Sequence, residues 1–296
     1  MARLVYLGSP SAAVAPLRSL VAAGHDVALV ISRPDTRRGR GSEVTPSPVK
    51  AAAVDLGLSV ADGLDALAGV DSELGVVVAY GRIVPASVLD ALAMVNLHFS
   101  LLPRWRGAAP VERAVLAGDT DTGVCLMRLE AGLDTGPVLL RRAVSIGPDE
   151  HAGALTDRLS ALGAKLLCSA LAGGVGGLGP GEPQRGEPIY AAKLEVGDLA
   201  LHWDRSAEEL HRVVRLDRAW TTFRDRRLRV LDAGVDAAAH LGPPGTVSDA
   251  AVSTGSGALV LRVVQPEGKR PMDAAAWWRG VRPKPGERLF TPDTDR

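Results

Sequence analysis

Cysteine is scarce in this chain of 296 residues. Cys125 and Cys168 are its two cysteines, and neither lies in a paired motif. This argues against a disulfide framework and is typical of a reducing cytoplasm. No segment approaches the ~18 consecutive apolar residues of a membrane helix. The amino-terminal "MARLVYLG" enters a strand directly, without the basic region and cleavage site of a secretory signal. We therefore expect a cytoplasmic protein with no membrane partner.

Net charge is also lacking. Lys and Arg number 34, as do Asp and Glu, so no overall basicity indicates a nucleic-acid partner. The charge is nevertheless unevenly distributed, since Arg212 to Arg229 contains seven arginines and two aspartates. Such a run is either a solvated face or a strip that contacts phosphates. The residues alone leave both interpretations open.

Motifs for common cofactors and metals are missing as well. The segment "GSPSAAVAP" follows the first strand-like run without the G-x-G-x-x-G pattern, so a dinucleotide site has little support. The histidines show no H-E-x-x-H spacing and the cysteines no C-x-x-C spacing, which argues against zinc. We interpret Cys125 as a small buried strand residue. Trp277 and Trp278 are expected to pack in a core rather than to stack on a base.

Strand-like and helical segments alternate through the first half of the chain. The run "ELGVVVAYG" is continuously apolar, which is typical of a strand buried on both faces. The alternation predicts an α/β fold with a Rossmann-like, mostly parallel sheet and helices on both faces. After the glycine- and proline-rich residues 173–188, short strand-like runs predict a small β-barrel or sandwich. We expect a first domain of residues 1–188, a linker of residues 189–199 and a second domain of residues 200–296.

Polar side chains alternate along the segment "NLHFSLLPRWRGAAP". Asn96, His98 and Ser100 share one strand face, because side chains at i and i+2 point the same way. Ligands of open α/β sheets bind beyond the carboxyl ends of strands, and "SLLP" ends this strand just after His98. One histidine alone is often structural. An asparagine on the same face adds a second group that can stabilise an oxyanion.

Asp134 lies in the glycine-bracketed turn of "EAGLDTGPVLL". Turn chemistry alone is enough to explain an aspartate there. With Asn96 and His98, however, it forms a set on neighbouring strand ends that suits acid–base chemistry at an acyl carbon. The histidine would transfer a proton, the carboxylate would orient the histidine, and the amide would stabilise the oxyanion.

The segment "RPDTRRGRGSEVTPSPVK", from Arg33 to Lys50, is a long loop with four arginines before a helix that begins with proline. Long loops in compact domains tend to be functional. It is either a phosphate-contacting arm or a solvated surface loop.

Together these segments resemble the formyltransferase family that uses 10-formyltetrahydrofolate. "NLHFSLLPRWRGAAP" and "GLDTG" carry the part of the resemblance that concerns folate-dependent formyl transfer in general. "TPSPVK" and "QPEGKRPM" resemble the members of that family that act on a charged tRNA. The resemblance extends from "GSP" through the second domain and covers essentially the whole chain.

The resemblance implies transfer of a formyl group from 10-formyltetrahydrofolate, as co-substrate, to the amino group of methionyl initiator tRNA, for translation initiation. It implies a small OB-like barrel as second domain. The transfer requires no metal, and we expect a monomer. The resemblance also implies roles for the candidate residues. The catalytic set is Asn96, His98 and Asp134; the folate set is Ser100, Leu101, Leu102, Pro103, Ala79, Tyr80 and Gly81; the arm with Arg37, Arg38 and Arg40 approaches the tRNA. Arg226 and Arg227, from the charge run, complete the tRNA set that we expect.

Two segments depart from the family's pattern. Ala12 and Ala13 stand where the family usually has an aromatic residue, which is expected to alter the methionyl pocket. Ser42 and Glu43 stand where the arm usually continues with basic residues, which weakens its attraction for tRNA.

Two alternative functions remain. The same core could formylate another amine, such as that of an amino sugar nucleotide, but the second domain with "QPEGKRPM" argues against a sugar. The chain could also be an inactive tRNA-binding homologue, but the intact Asn, His and Asp set argues against inactivity.

Overall fold

The computed structural model describes residues 1–37, 44–239, 242–284 and 286–291, and the backbone alone for Arg37. The chain divides into two compact units. The first unit comprises Met1–Val111, Asp121–Ser145 and Thr156–Ala192; the second comprises Glu112–Thr120, Ile146–Leu155 and Lys193–Arg296.

The strands of the described residues are numbered in chain order. They are β1 (Arg3–Gly8), β2 (Asp26–Ile31), β3 (Thr36–Arg37), β4 (Val44–Thr45), β5 (Val60–Ala61), β6 (Leu74–Val78), β7 (Met94–His98), β8 (Arg106–Gly107), β9 (Asp121–Arg128), β10 (Val138–Ser145), β11 (Tyr190–Ala191), β12 (Trp220–Phe223), β13 (Arg226–Asp236), β14 (Val247–Ser248), β15 (Ala251–Ser253), β16 (Ala258–Pro266) and β17 (Met272–Asp273).

The α-helices are numbered in the same way. They are α1 (Val14–Ala22), α2 (Pro48–Asp55), α3 (Ala86–Ala91), α4 (Pro110–Ala117), α5 (Ala152–Ala170), α6 (Ala207–Val214) and α7 (Ala274–Val281). Short 3₁₀ helices cover Ser11–Ala13, Leu64–Leu67, Val175–Gly177 and Gly197–Leu199. As expected, α2 begins at a proline, and the side chain of Ser47 caps it by accepting from the backbone N–H of Lys50 at 3.0 Å.

The main sheet of the first unit has the strand order β10-β9-β7-β6-β1-β2-β5. The strands β7, β6, β1, β2 and β5 pair in parallel, while β9 and β10 pair antiparallel at one edge. All five residues of β6 are buried, as its unbroken apolar sequence predicts. The predicted mostly parallel α/β fold is confirmed.

The two faces of this sheet are covered by different helices. On one face, Val5, Leu7 and Val77 pack with apolar residues of α3 and of the 3₁₀ helix Leu64–Leu67. On the other face, Leu97 lies so close to α5 that a Cβ added to Gly163 would come within 2.5 Å of its side chain. Glycine at that position therefore lets α5 approach the sheet closely.

The second unit contains an antiparallel sheet with the order β12-β13-β16-β15-β14, and β17 also pairs with β16. Residues near the end of the described chain connect its two edges, because Phe290 bridges to Thr222 of β12 and Arg288 bridges to Thr246 just before β14. The register of β13 against β16 shifts twice between Val230 and Ala233, and such bulges help a sheet to bend. This is the closed antiparallel barrel expected for the second domain.

The core of the barrel contains the predicted packing residues Trp277 and Trp278, whose rings each lie 5.4 Å from that of Phe223 in an edge-on arrangement. Cys125 is also buried, as predicted, in the first unit. Burial raises the pKa of its thiol, which makes it a poor nucleophile. Among the described residues, no helix is long and apolar enough to span a membrane.

Candidate active site

Strand β7 places Asn96 and His98 on one face at its carboxyl end. Asn96 pairs in register with Val77 of β6, so the residues that follow β6 run beside His98. The same face carries the buried Met94, which packs in the apolar core. Asn96 and His98 therefore follow the core residue Met94 on this face and lie at the sheet edge where ligands of α/β folds bind.

Asp134 reaches this pair by a route that the sequence does not indicate. We expected it on a neighbouring strand end, but β9 is antiparallel to β7, and Arg128 at the end of β9 pairs with Val95 near the start of β7. That part of the prediction is wrong, because an antiparallel strand ends at the opposite edge of the sheet. The loop between β9 and β10 must turn back along β7 to bring Asp134 to Asn96 and His98.

The Asp134 carboxylate contacts three groups at the site. Its Oδ1 accepts a hydrogen bond from Nδ2 of Asn96 at 3.3 Å, and its Oδ2 accepts one from the backbone N–H of Gly107 at 2.8 Å. Oδ2 also lies 3.6 Å from Nδ1 of His98. Because only 9% of Asp134 and 5% of His98 are exposed, these contacts are shielded from bulk water.

The two nitrogens of His98 have different partners. Nε2 lies 2.8 Å from the carbonyl oxygen of Trp105 and must donate to it, since a carbonyl can only accept. The neutral ring therefore presents Nδ1 as an acceptor, toward Asp134. Nδ1, at 3.6 Å from the carboxylate, is therefore the ring nitrogen left for general acid–base chemistry.

The predicted folate set divides into a structural part and an exposed part. Leu102 is buried with Cys125, Met127 and Val138, so its side chain belongs to the core. The hydroxyl of Ser100 donates to the carbonyl of Arg104 at 2.6 Å and closes the turn after β7. Leu101 and Pro103 are half-buried in that turn.

The other part of the folate set follows β6. Ala79 and Gly81 are exposed and have positive φ angles of 46° and 78°, so the backbone turns sharply here. Between them, Tyr80 points into the core and is 5% exposed. The turn thus presents main-chain groups rather than side chains beside His98.

The predicted tRNA set is only partly described. Arg38 and Arg40 lie outside the described residues, and Arg37 contributes its backbone to β3. Arg226 and Arg227 are exposed at the start of β13 in the second unit. The guanidinium of Arg227 lies 4.0 Å from the ring centroid of Trp220.

An open cleft of about 440 Å³ adjoins Arg227 in the second unit. Its lining residues are Leu199, Arg218, Arg227, Arg229, Gln265, Pro266, Glu267 and Gly268.

Other arginines of the charge run have structural partners. Arg215 is buried against the carbonyls of Gly147 and Glu150, and Arg224 forms a two-bond ion pair with Glu287. The run is therefore not one uniform solvated face.

Three groups that the sequence analysis did not identify contact the predicted catalytic residues. They are the carbonyl of Trp105, the N–H of Gly107 and the side chain of Gln184, which donates to the carbonyl of Asp134 at 2.8 Å. The first two are main-chain groups, which side-chain patterns cannot report. Gln184 lies within the glycine- and proline-rich residues 173–188, where no periodicity predicts a contact.

Ala12 and Ala13, the departure from the family's pattern, are 7% and 0% exposed. Their carbonyls accept from the hydroxyls of Ser160 and Tyr6 at 2.6 Å and 2.5 Å. A Cβ added to Gly8 would lie 2.9 Å from that of Ala13. The space around Ala13 is thus filled, and a larger side chain there would have to displace its neighbours. Ser42 and Glu43, the second departure, lie outside the described residues.

Among the described residues, no group of three or more His, Cys, Asp or Glu side chains is placed to hold a metal ion.

Comparison with known proteins gives family matches for both units. Residues 2–171 match the family model described as formyl transferase, and residues 193–282 match the one described as formyl transferase, C-terminal domain. A Roseobacter denitrificans protein named methionyl-tRNA formyltransferase is 45% identical over 294 residues, covering 94% of this chain and 95% of that protein. A Xanthomonas campestris protein of the same name is 44% identical over 307 residues, covering 97% of this chain and 100% of that protein.

A solved structure has a similar fold. The N-formyltransferase from Helicobacter canadensis, in complex with folinic acid and dTDP-3-aminofucose, matches with a TM-score of 0.69. The match covers 90% of this chain and 100% of that chain at 16% sequence identity. At that identity the likeness concerns the fold alone.

The turn that carries Asp134 is expected to be intolerant of added bulk at Gly136. A Cβ there would lie 2.0 Å from the backbone carbonyl of Arg128, whereas a Cβ at Gly179 would meet nothing within 4 Å. We expect Gly136→Ala to lower the free energy of unfolding by about 1–3 kcal/mol, as overpacking does. Gly179→Ala is the matched control and should stay within about 0.5 kcal/mol of the unsubstituted protein. Equal stabilities of the two variants in urea titrations would contradict the close contact.

Proposed function

The chain belongs to the formyl transferase family, and on that basis we propose that it transfers a formyl group from 10-formyltetrahydrofolate to the amino group of methionyl initiator tRNA. The observation that carries the proposal is the shielded contact of the Asp134 carboxylate with both Asn96 and His98. The near-full-length relatives named methionyl-tRNA formyltransferase support the choice of acceptor.

The residues at the sheet edge fit the proposed folate co-substrate. A reduced pterin carries several amide-like donors and acceptors, which main-chain groups can match. The exposed turn at Ala79 and Gly81 offers such groups beside the polar end of β7. Leu101 and Pro103, half-buried in the turn after His98, offer apolar surface for a flat ring. 10-Formyltetrahydrofolate supplies an activated formyl carbonyl as the electrophile.

Asn96, His98 and Asp134 have distinct proposed roles in catalysis. Attack of an amine on a formyl carbonyl produces an oxyanion, and Asn96 has a second amide N–H beyond the one bound to Asp134 to donate to it. His98 accepts or returns a proton through Nδ1, because its Nε2 is held by the carbonyl of Trp105. Asp134 stabilises the protonated ring and fixes its orientation.

The division of labour between the two parts of the chain is also a proposal. We assign folate binding and catalysis to residues 1–188 and tRNA binding chiefly to residues 200–296, joined by residues 189–199. The arm with Arg37, Arg38 and Arg40 would contact the acceptor end of the tRNA. We propose that the protein acts as a monomer in the cytoplasm, where charged tRNA and reduced folate are both present.

A direct assay tests the proposed acceptor. Purified protein is given 10-formyltetrahydrofolate with charged initiator tRNA, charged elongator tRNA or an amino sugar nucleotide, and formylated product is measured. We expect strong preference for the initiator. Preference for the sugar nucleotide would establish the alternative acceptor, and tRNA binding without any formylation would identify an inactive homologue.

His98→Ala is expected to reduce turnover while leaving tRNA binding intact. General acid–base catalysis contributes about 10²–10⁴-fold, so the fall in kcat should reach that range. His202→Ala, a histidine of the second unit, is the control and should keep normal turnover. A His98→Ala enzyme within about threefold of the unsubstituted kcat would mean that His98 is structural.

Asp134→Asn keeps the size of the side chain and removes its charge. The new amide can still accept from Gly107, but then its NH₂ faces the NH₂ of Asn96, and no anion stabilises protonated His98. We expect a folded protein with kcat reduced by about 10²-fold or more. Asp157→Asn, an exposed residue of α5, is the matched control. Unfolding of the Asp134 variant in circular dichroism would instead indicate a residue needed only for the turn.

Arg226 and Arg227 are expected to contact tRNA phosphates without regard to sequence. Each phosphate contact contributes about 0.7–0.9 to the slope of log affinity against log salt. Changing both residues to Gln should therefore weaken initiator and elongator tRNA binding alike and flatten that slope. Arg224→Gln removes the same kind of charge, but Glu287 already neutralises it, so its effect should be smaller. Unchanged affinity and slope in the double variant would show that this surface is only solvated.

A further inference from the structure

We propose that Gln184 is a positioning residue that holds Asp134 in place for catalysis. The inference deepens the proposed function and rests on it. Gln184 lies in the segment between α5 and β11, outside the motifs that indicate formyl transfer. Its side chain touches the backbone of the Asp134 turn and does not touch Asn96 or His98 in the described contacts, so it would act through Asp134.

Every hydrogen-bonding position of the Gln184 amide is used. Its NH₂ group donates to the carbonyls of Asp134 and Gly136, at 2.8 Å and 2.9 Å. Its oxygen accepts from Nε and Nη2 of Arg106, at 3.0 Å and 2.7 Å. A rotated amide would set its oxygen against two carbonyls and its NH₂ against a guanidinium, so one orientation alone satisfies all four bonds.

The turn needs to be held because Asp134 has a strained backbone. Its φ of 50° lies in the left-handed region, which costs a non-glycine residue about 1–3 kcal/mol and persists only where surrounding contacts enforce it. Gln184 bonds to the carbonyl of this residue and to that of the second residue after it. These two bonds fix the peptide group that follows Asp134 and the one that follows Gly136.

The same segment also secures the other partner of the carboxylate. Arg106 leads directly to Gly107, whose N–H donates to Oδ2 of Asp134. Strand β8, formed by these two residues, pairs in parallel with β11, and the N–H of Arg106 donates to the carbonyl of Ile189 at 2.8 Å. Residues 184–191, which we term the brace, therefore bind both the turn and the donor to its carboxylate.

Loss of the brace contact should affect chemistry more than binding. The contacts of Asp134 with Asn96 and His98 are 3.3 Å and 3.6 Å, and a small shift of the turn changes both. Displacement of a catalytic group by about 1 Å can cost 10²-fold in rate. Since Gln184 has no described contact with the predicted folate or tRNA residues, KM for either substrate should change little.

The test compares Gln184→Leu and Gln184→Glu with the unsubstituted protein in the formylation assay. Leu removes all four bonds at similar size. The carboxylate of Gln184→Glu keeps an acceptor for Arg106 but sets an oxygen against the two turn carbonyls. This variant should therefore lose at least as much kcat as Gln184→Leu. We expect kcat to fall about 10–100-fold in both, with KM for folate and tRNA within about threefold. Glu182→Gln, in the same segment and with a side chain 86% exposed, is the control and should retain normal kcat.

A double variant separates positioning from general structural support. In an Asp134→Asn background the carboxylate is already gone, so adding Gln184→Leu should cost less than about threefold further. If the full loss persists in that background, Gln184 acts by some other route and the inference is overturned. It is also overturned if folded Gln184 variants have normal kcat while the unsubstituted protein formylates charged initiator tRNA.

If Gln184→Leu and Gln184→Glu fail to fold, Arg106→Met, which leaves the turn bonds, must show a kcat loss smaller than that of Asp134→Asn. An unsubstituted protein that formylates no acceptor overturns the proposed function and this inference together.

Discussion

A carboxylate that is nine-tenths buried has to be partnered, and this requirement organises the first unit around Asp134. Removing a charge from water without partners costs several kilocalories per mole. Asp134 meets this cost with a side-chain donor from β7 and a main-chain N–H from β8. These groups come from distant parts of the sequence, so the site exists only when the sheet, the turn after β7 and the brace are all folded. Stability of the fold and competence of the site are therefore coupled through one side chain.

Much of the fold follows from patterns that the sequence displays openly. The continuous apolar run of β6 predicts a buried parallel strand, and the proline at α2 predicts a helix start. Strand direction at the edge of the sheet does not follow, because β9 has the same apolar character whether it pairs parallel or antiparallel to β7. The sequence also does not predict that Arg288–Phe290 close the barrel, since two isolated bridges leave no periodic signal in a short segment.

The site shows the same contrast. Alternation along β7 is enough to place Asn96 and His98 on one face, because a strand has a fixed two-residue period. Asp134 could be selected from its turn, but the path that brings it to His98 depends on tertiary folding. The carbonyl of Trp105 and the N–H of Gly107 have no side-chain signature at all. Similarly, Arg215 and Arg227 belong to one charge run, yet the first is buried and the second is exposed, which only packing decides.

The bridges of Phe290 and Arg288 set an order of events during synthesis. A ribosome delivers the chain from its amino terminus, and domains tend to fold as they emerge. Thr222 and Thr246 are synthesised before residues 288–290, so until then their main-chain groups lack these partners at the two margins of the sheet. Such margins can pair with strands of other nascent chains. Chains stalled or cleaved before this closing segment would keep those margins permanently, and the second unit would then be a target for chaperones and proteases.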